Sequence, residues 1–180
     1  MTKKLSIDST WSLFLDRDGV INQRIANDYV LKQADFHFCV GALEALTNLT
    51  HRFLHVFVVT NQQCVAKGLL KEVELGQIHE NMCAKVSLSG GKISKVYAAT
   101  ELKEDPLSTR KPNPTMAIQA KKEFDGIDFS KSIMVGDTDS DIEFGQRLGM
   151  TTVLIESSEV ILSSPDFRFS SLHDFSLSLC

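Results

Sequence analysis

Asp16 and Asp18 stand two residues apart at the end of an apolar run that begins at Trp11, and Gly19 follows at once. A carboxylate closing an apolar strand is costly unless something uses it. Two of them at a strand's carboxyl edge suit a hard cation and a phosphoryl group, although Asp and Gly also build ordinary turns. Residues two apart in an extended segment point the same way. One carboxylate can then attack phosphorus as a nucleophile, and the other can move the leaving-group proton and later activate water.

Three further clusters bear on that chemistry. Thr60, Asn61 and Gln62 end a second apolar run; their hydroxyl and amides can donate to phosphate oxygens or simply cap a helix. Arg110 and Lys111 precede Pro112 and Pro114. Lysine can neutralise a phosphoryl group as a point charge and arginine can hold a second one bidentately, while the bland alternative is a solvated basic loop. A last apolar run ends in Gly136, Asp137, Asp139 and Asp141. Transfer of a phosphoryl dianion to a carboxylate meets repulsion, which a divalent cation such as Mg2+ relieves. Asp137 is the candidate to complete a metal site with Asp16 and the backbone carbonyl of Asp18. Asp141, one turn into the next helix, is placed to orient Lys111 or to reach the metal through water. Asp139 suits a helix N-terminus, where the dipole stabilises an acid.

The elements that must position these clusters alternate. Strands are expected over 12–15, 54–60, 93–99, 132–135 and 151–155, and helices over 40–49, 72–89, 115–124 and 139–148. The apolar positions Val73, Ile78, Met82 and Val86 are read as one side of the second helix. The run at 54–60 is apolar almost throughout, as a strand buried on both faces of a parallel sheet must be. The pattern predicts an α/β fold with a doubly wound, mostly parallel sheet, in which ligands bind beyond the strands' carboxyl ends. The serine-rich end of the chain carries Phe169, Leu172 and Phe175, read as a cover over the domain; a docking surface that includes Phe167 is the alternative.

The chain has 180 residues, 43% of them hydrophobic, and a formal net charge of -4. That suits one domain over 1–180 with a substantial core. It gives no basic excess for a nucleic-acid backbone, and no stretch approaches a membrane span. The expectation is a soluble cytoplasmic protein, monomeric or a small homo-oligomer, with neither nucleic acid nor membrane as partner. The four cysteines form no Cys-x-x-Cys pair and the five histidines are scattered. The cysteines read as reduced, and Cys64 as an apolar filler.

All four clusters, in this order, resemble the haloacid dehalogenase superfamily of phosphatases. Asp16 to Gly19 matches the nucleophile motif, Thr60 the second, Lys111 the third, and Gly136 with Asp137 to Asp141 the fourth. The resemblance spans roughly 13–155. The longer match through Asn22, the Asp28–Tyr29–Val30 segment, Asn61, Gln62, Val65 to Gly68 and Arg110 to Pro112 is similar to the subfamily of heptose bisphosphate and histidinol-phosphate phosphatases. It implies a Rossmann-like core, an aspartyl-phosphate mechanism with Mg2+, phosphate binding by Arg110 and Lys111, and a loop at Asp28 and Tyr29 that helps to enclose the substrate. It also implies a phosphorylated sugar, heptose 1,7-bisphosphate first, with histidinol phosphate next. A nucleic-acid 3′-phosphatase shares some elements, but the acidic balance argues against it. In this subfamily a Cys/His zinc loop usually precedes the Arg-Lys-Pro motif. Residues 100–109 contain neither Cys nor His, so no zinc is expected. The short inserts leave no room for a separate cap domain. A catalytically silent phosphate-binding module would be expected to lack one of Asp16, Asp18, Lys111 or Asp137; all four are present.

Overall fold

A computed structural model describes residues 5–179. Six strands, all paired in parallel, form a single sheet: β1 (Ser12–Leu15), β2 (His55–Asn61), β3 (Lys95–Ala99), β4 (Ser132–Gly136), β5 (Thr151–Ile155) and β6 (Phe167–Phe169). Their spatial order is β3-β2-β1-β4-β5-β6. The helices are α1 (Ala42–Thr50), α2 (Glu72–Leu88), α3 (Thr115–Glu123), α4 (Asp139–Arg147) and α5 (Leu172–Ser178).

Strand alternation sorts the core into two layers. Leu13, Leu15, Val56, Val58, Ile133 and Val135 face the layer that holds α1, α2 and α5. Phe14, Phe57, Val59 and Met134 face the other, with Met116, Ala117 and Ala120 of α3 and Phe144 of α4. The doubly wound architecture expected from the sequence is the one observed. Strand order reverses at β1, between β2 on one side and β4 on the other. Such a switch point opens a crevice at the strands' carboxyl ends, and Asp16 and Asp137 sit there, directly after β1 and at the end of β4. The segment between β1 and α1 contains only a 3-10 turn (Gln33–Asp35) and isolated bridges from Asn22 to Asp18 and Phe38, with no cap domain.

The differences from the sequence expectation are local. Helix α1 starts at Ala42 because Gly41 takes φ 73 immediately before it, leaving Val40 exposed. In α2 the buried positions are Leu75, Ile78, Met82 and Val86, and Val73 points outward. Strand β3 begins at Lys95, two residues later than expected. The serine-rich end holds β6 and α5, neither of which was expected as an element. Phe175 is fully buried, Phe169 packs on it at a ring-centroid distance of 5.6 Å, and Phe167 packs against the same layer. These rings cover the core, as the first of the two readings expects. Among the described residues no helix is long and apolar enough to cross a membrane.

Candidate active site

The crevice is a cavity of about 670 Å³ lined by Asp16, Asp18, Thr60, Asn61, Arg110, Lys111, Asp137 and Asp141, and by Asp28 and Tyr29 at its lip. Of the site residues expected from the sequence, only Gln62 does not line it. A second cavity of about 500 Å³ adjoins it and shares Arg110 and Lys111.

Lys111 is the hub. Its buried Nζ donates to Asp16 Oδ1 at 2.8 Å and to the carbonyl of Val59 at 2.7 Å, and it forms an ion pair with Asp141 Oδ1 at 2.6 Å. Asn61 fixes the backbone of the lysine in both directions. Its Oδ1 accepts from the N–H of Lys111 at 2.9 Å and its Nδ2 donates to the carbonyl of Lys111 at 3.2 Å. Asp141 serves two elements. One oxygen pairs with Lys111; the other accepts the backbone N–H groups of Asp137 and Thr138 and the Thr138 hydroxyl, closing a capping box at the start of α4. Of the two placements expected for Asp141, the structure sets it against Lys111.

Burial drives the electrostatics. It pushes the Asp16 carboxyl up to about 7, with Asp141, Asp137 and Asp18 adding to the rise against the pull of Lys111. It pushes Asp137 up to about 6, where Arg24 pulls the other way. Burial also favours a neutral Lys111, but Asp141 and Asp16 outweigh it and hold the amine charged. Asp18 is the exception. Burial would raise it, yet the Arg17 charge, with hydrogen bonds from Asn22, Arg17 and Gln62, holds it below the usual carboxylate range.

Carboxylate oxygens of Asp16, Asp137 and Asp141 lie within 4.8 Å of one another. The Asp18 carboxylate is not in this group; the Asp18 carbonyl faces it instead, which one side chain makes visible. Arg24 lays its guanidinium on Asp137, Nε to Oδ2 at 2.9 Å and Nη2 to Oδ1 at 2.7 Å, and Nη2 also reaches the Asp18 carbonyl at 3.3 Å. A side-chain cation thus bridges two of the groups expected to hold a metal. Among the described residues these three carboxylates pair with two cations, Lys111 and Arg24, so the ionised cluster carries an excess of one negative charge. An oxygen-only donor set with excess negative charge fits a hard divalent cation of the Mg2+ type.

Close packing makes two glycines mandatory. Gly19 has φ +89, and a Cβ there would strike the Asp137 carboxylate; at Gly136 it would strike Asp141. Gly19→Ala is expected to destabilise the protein by about 1–3 kcal/mol through backbone strain and to lower kcat at least about tenfold by displacing Asp137. Thermal melting and initial rates on the same preparation check both.

Several residues differ from the expectation or were missed by it. Gln62 is buried and turned inward, its Nε2 donating to Thr60 Oγ1 at 2.8 Å and to Asp18 Oδ2 at 2.9 Å. The expected phosphate ligand does not line the cavity and holds Asp18 instead; Gln63 lines the cavity in its place. Tyr29 is pinned by Gln63 Nε2 and Lys67 Nζ, both 2.9 Å from its hydroxyl. Arg24 and His79 were not singled out, and nothing short of the fold shows what they face. Ser157, just past β5, donates to the Asp137 carbonyl at 3.1 Å, and Asp139 accepts the N–H groups of Leu162 and Ser163. The carboxyl end of β5 was the available signal for Ser157, since the other strand ends had already proved informative. Cys64 is fully buried, and burial raises its thiol, as a filler requires.

A buried aspartate and a partly buried one at the end of β1, a lysine reaching the first from a loop, and a capped acidic turn after β4 are the parts of a haloacid dehalogenase-type phosphatase. Comparison with known proteins agrees. A family model of HAD-hydrolase-like proteins matches residues 108–160. The chain is 37% identical over 150 residues to the D-glycero-alpha-D-manno-heptose-1,7-bisphosphate 7-phosphatase of Campylobacter jejuni, covering 83% of this chain and 84% of the relative. It is 31% identical over 173 residues to the Mycobacterium bovis enzyme of the same name, covering 94% and 91%. A crystal structure of D,D-heptose 1,7-bisphosphate phosphatase from B. bronchiseptica, complexed with magnesium and phosphate, superposes with a TM-score of 0.84 at 24% identity, covering 93% of this chain and 96% of that one. The chain belongs to the haloacid dehalogenase-like phosphatases, in the family of these heptose bisphosphate phosphatases.

Proposed function

We propose that this phosphatase is one catalytic domain over 1–180 that removes the 7-phosphate of a D-glycero-D-manno-heptose 1,7-bisphosphate. The observation that carries the reading is the buried contact between Lys111 and Asp16, set beside the acid Asp18 and under a cavity whose rim holds Arg110. Support for a substrate with two phosphates comes from Arg110. It borders both cavities, and its Nη1 is shut from solvent without a hydrogen-bond partner. A buried guanidinium N–H in that condition is costly, and an anionic oxygen relieves it.

In this reading Asp16 attacks phosphorus while Asp18 gives its proton to the departing sugar oxygen, leaving an aspartyl phosphate and a free alcohol. The Asp18 carboxylate then takes a proton from water as that water attacks the same phosphorus, which releases Asp16 and inorganic phosphate. Arg17 favours the anionic Asp18 that the second step needs. The incoming phosphate dianion, a like charge beside it, favours the protonated form that the first step needs. Lys111 and Thr60 contact the phosphoryl oxygens, Arg110 holds the distal phosphate, and Asp28 and Tyr29 close the lip. Asp16, Asp137 and the Asp18 carbonyl would hold Mg2+, which lowers the repulsion between the phosphoryl dianion and the attacking carboxylate.

Initial rates of phosphate release test the proposal, with both anomers of heptose 1,7-bisphosphate, histidinol phosphate and a 3′-phosphorylated oligonucleotide as substrates. A heptose bisphosphate is expected to exceed the others in kcat/KM by about 100-fold or more, as a site built to pair a second anion should. Preference for histidinol phosphate, or turnover of none, would sink it. Chelation with EDTA is expected to abolish turnover and Mg2+ to restore it. Mg2+ alone should raise Tm, because it binds only the folded carboxylate cluster; unchanged rates in EDTA would remove the metal from the proposal.

A further inference from the structure

Arg17 sits between the two aspartates of the nucleophile motif, yet among the described residues it is the largest fully buried side chain. Alternation at the strand end sends it opposite to Asp16 and Asp18, toward the layer that holds α2. An uncompensated guanidinium in such a place costs several kcal/mol. Its compensation is specific. Nη2 donates to both oxygens of Asp18, at 3.0 and 2.9 Å, and Nη1 lies 3.0 Å from Nε2 of His79 on α2. Phe36 stacks near the guanidinium, 5.9 Å from ring centroid to Cζ.

A guanidinium only donates. His79 Nε2 must therefore accept, which fixes a neutral imidazole with its proton on Nδ1. Burial, followed by the Arg17 charge, pushes His79 down to about 4, in keeping with that tautomer. The helix sets the placement: Leu75 and Ile78, four residues and one residue before His79, are both buried against the core. Asp18 in turn receives Arg17, Asn22 and Gln62, so its carboxylate is held from three directions. Of these holds only the arginine brings charge, and His79 is the side chain bonded to the fork's other arm, Nη1.

We propose that His79 is a positioning residue for the general acid–base Asp18: it locks Arg17, and Arg17 aims the Asp18 carboxylate into the cavity. This rests on the reading of Asp18 as the group that moves the proton. His79 is absent from the residues lining the cavity, so its removal should act on the chemical step and not on binding.

The test compares His79→Leu, His79→Gln, Asp18→Asn and the double variant His79→Leu/Asp18→Asn on a heptose bisphosphate with Mg2+. His79→Leu deletes the acceptor and is expected to lower kcat by about 10- to 100-fold, a part of what general acid–base catalysis supplies, with KM within about twofold. Its Tm should fall as well, because the buried Nη1 of Arg17 is left without an acceptor, so the split between kcat and KM and the rescue by His79→Gln, not Tm, carry the test. His79→Gln offers Oε1 to the same N–H and is expected to stay within about threefold of the parent in kcat. In the Asp18→Asn background His79→Leu should add nothing, since groups that act as a unit are not additive. Full kcat in His79→Leu, a tenfold loss in His79→Gln, or additive losses in the double variant would each overturn the proposal. If His79→Leu does not fold, His79→Met makes the same comparison and His79→Gln must still keep its rate. Full activity of Asp18→Asn would instead remove the reading of Asp18 itself.

Discussion

Asp16→Asn is expected to lower turnover by at least about 10⁴-fold while leaving the protein folded and no less stable. The first half follows from the chemistry. An amide oxygen does not displace an alcohol from phosphorus to give an acyl phosphate, and losing the nucleophile removes the covalent route entirely. The second half follows from the site's charge balance. Asp16 is buried, and its carboxyl is already pushed up to about 7 by burial and by Asp141, Asp137 and Asp18. Asparagine removes one charge from a cluster that holds one negative charge too many, and its Oδ1 can still accept from Lys111, which keeps Asp141 and the Val59 carbonyl as partners. Thermal melting in EDTA should therefore show Tm unchanged or raised. Rates with Mg2+ should fall to the level set by contamination. A variant that keeps more than about 1% of the activity would show that another group attacks phosphorus. A variant that is inactive and also unfolded would show that the charge argument is wrong.

The sheet was legible because its strands are nearly continuous apolar runs, and the clusters were legible because charge at the end of such a run is physically expensive. Both signals are local. What the sequence left dark depends on partners far along the chain. Arg24 meets Asp137 across 113 residues and Arg17 meets His79 across 62, and neither residue type announces its partner. Gln62 is an intermediate case. Alternation places it on the same side as Thr60, and the two do hydrogen-bond, so its inward turn could have been read from the strand period, whereas the motif alone suggested a phosphate ligand. The β6 strand is only three residues long and exists by pairing with Val153, Leu154 and Ile155. Its local composition is serine-rich, so tertiary pairing, not propensity, makes it a strand. The error at Val73 has the same origin. The helical period admits either Val73 or Leu75 at the inner edge, and packing beneath the 3-10 turn and α1 selected Leu75.

Lys111→Met is expected to be damaging in a second and separable way. Lys111 is 2% exposed and neutralises two carboxylates that are themselves buried. Removing one partner of a buried ion pair leaves an uncompensated charge, at a cost of about 3–5 kcal/mol, which for a chain of this size lowers Tm by about 10 °C. Turnover should fall by about 10³-fold as well, because the phosphoryl group loses the cation that neutralises it and Asp16 loses the bond that aims it. Two further measurements separate the structural loss from the catalytic one. Adding Asp141→Asn to Lys111→Met withdraws one of the stranded charges while the asparagine Oδ1 can still cap α4 through the N–H groups of Asp137 and Thr138. The double variant should therefore recover much of the lost stability in urea titrations, with EDTA present, and none of the activity. Lys111→Arg should fail on both counts, because the planar fork cannot occupy a site where three acceptors converge on one nitrogen. A Lys111→Met protein as stable as the parent without metal would mean that Asp16 and Asp141 are protonated in the folded state, and the ion-pair account of the site would have to be abandoned.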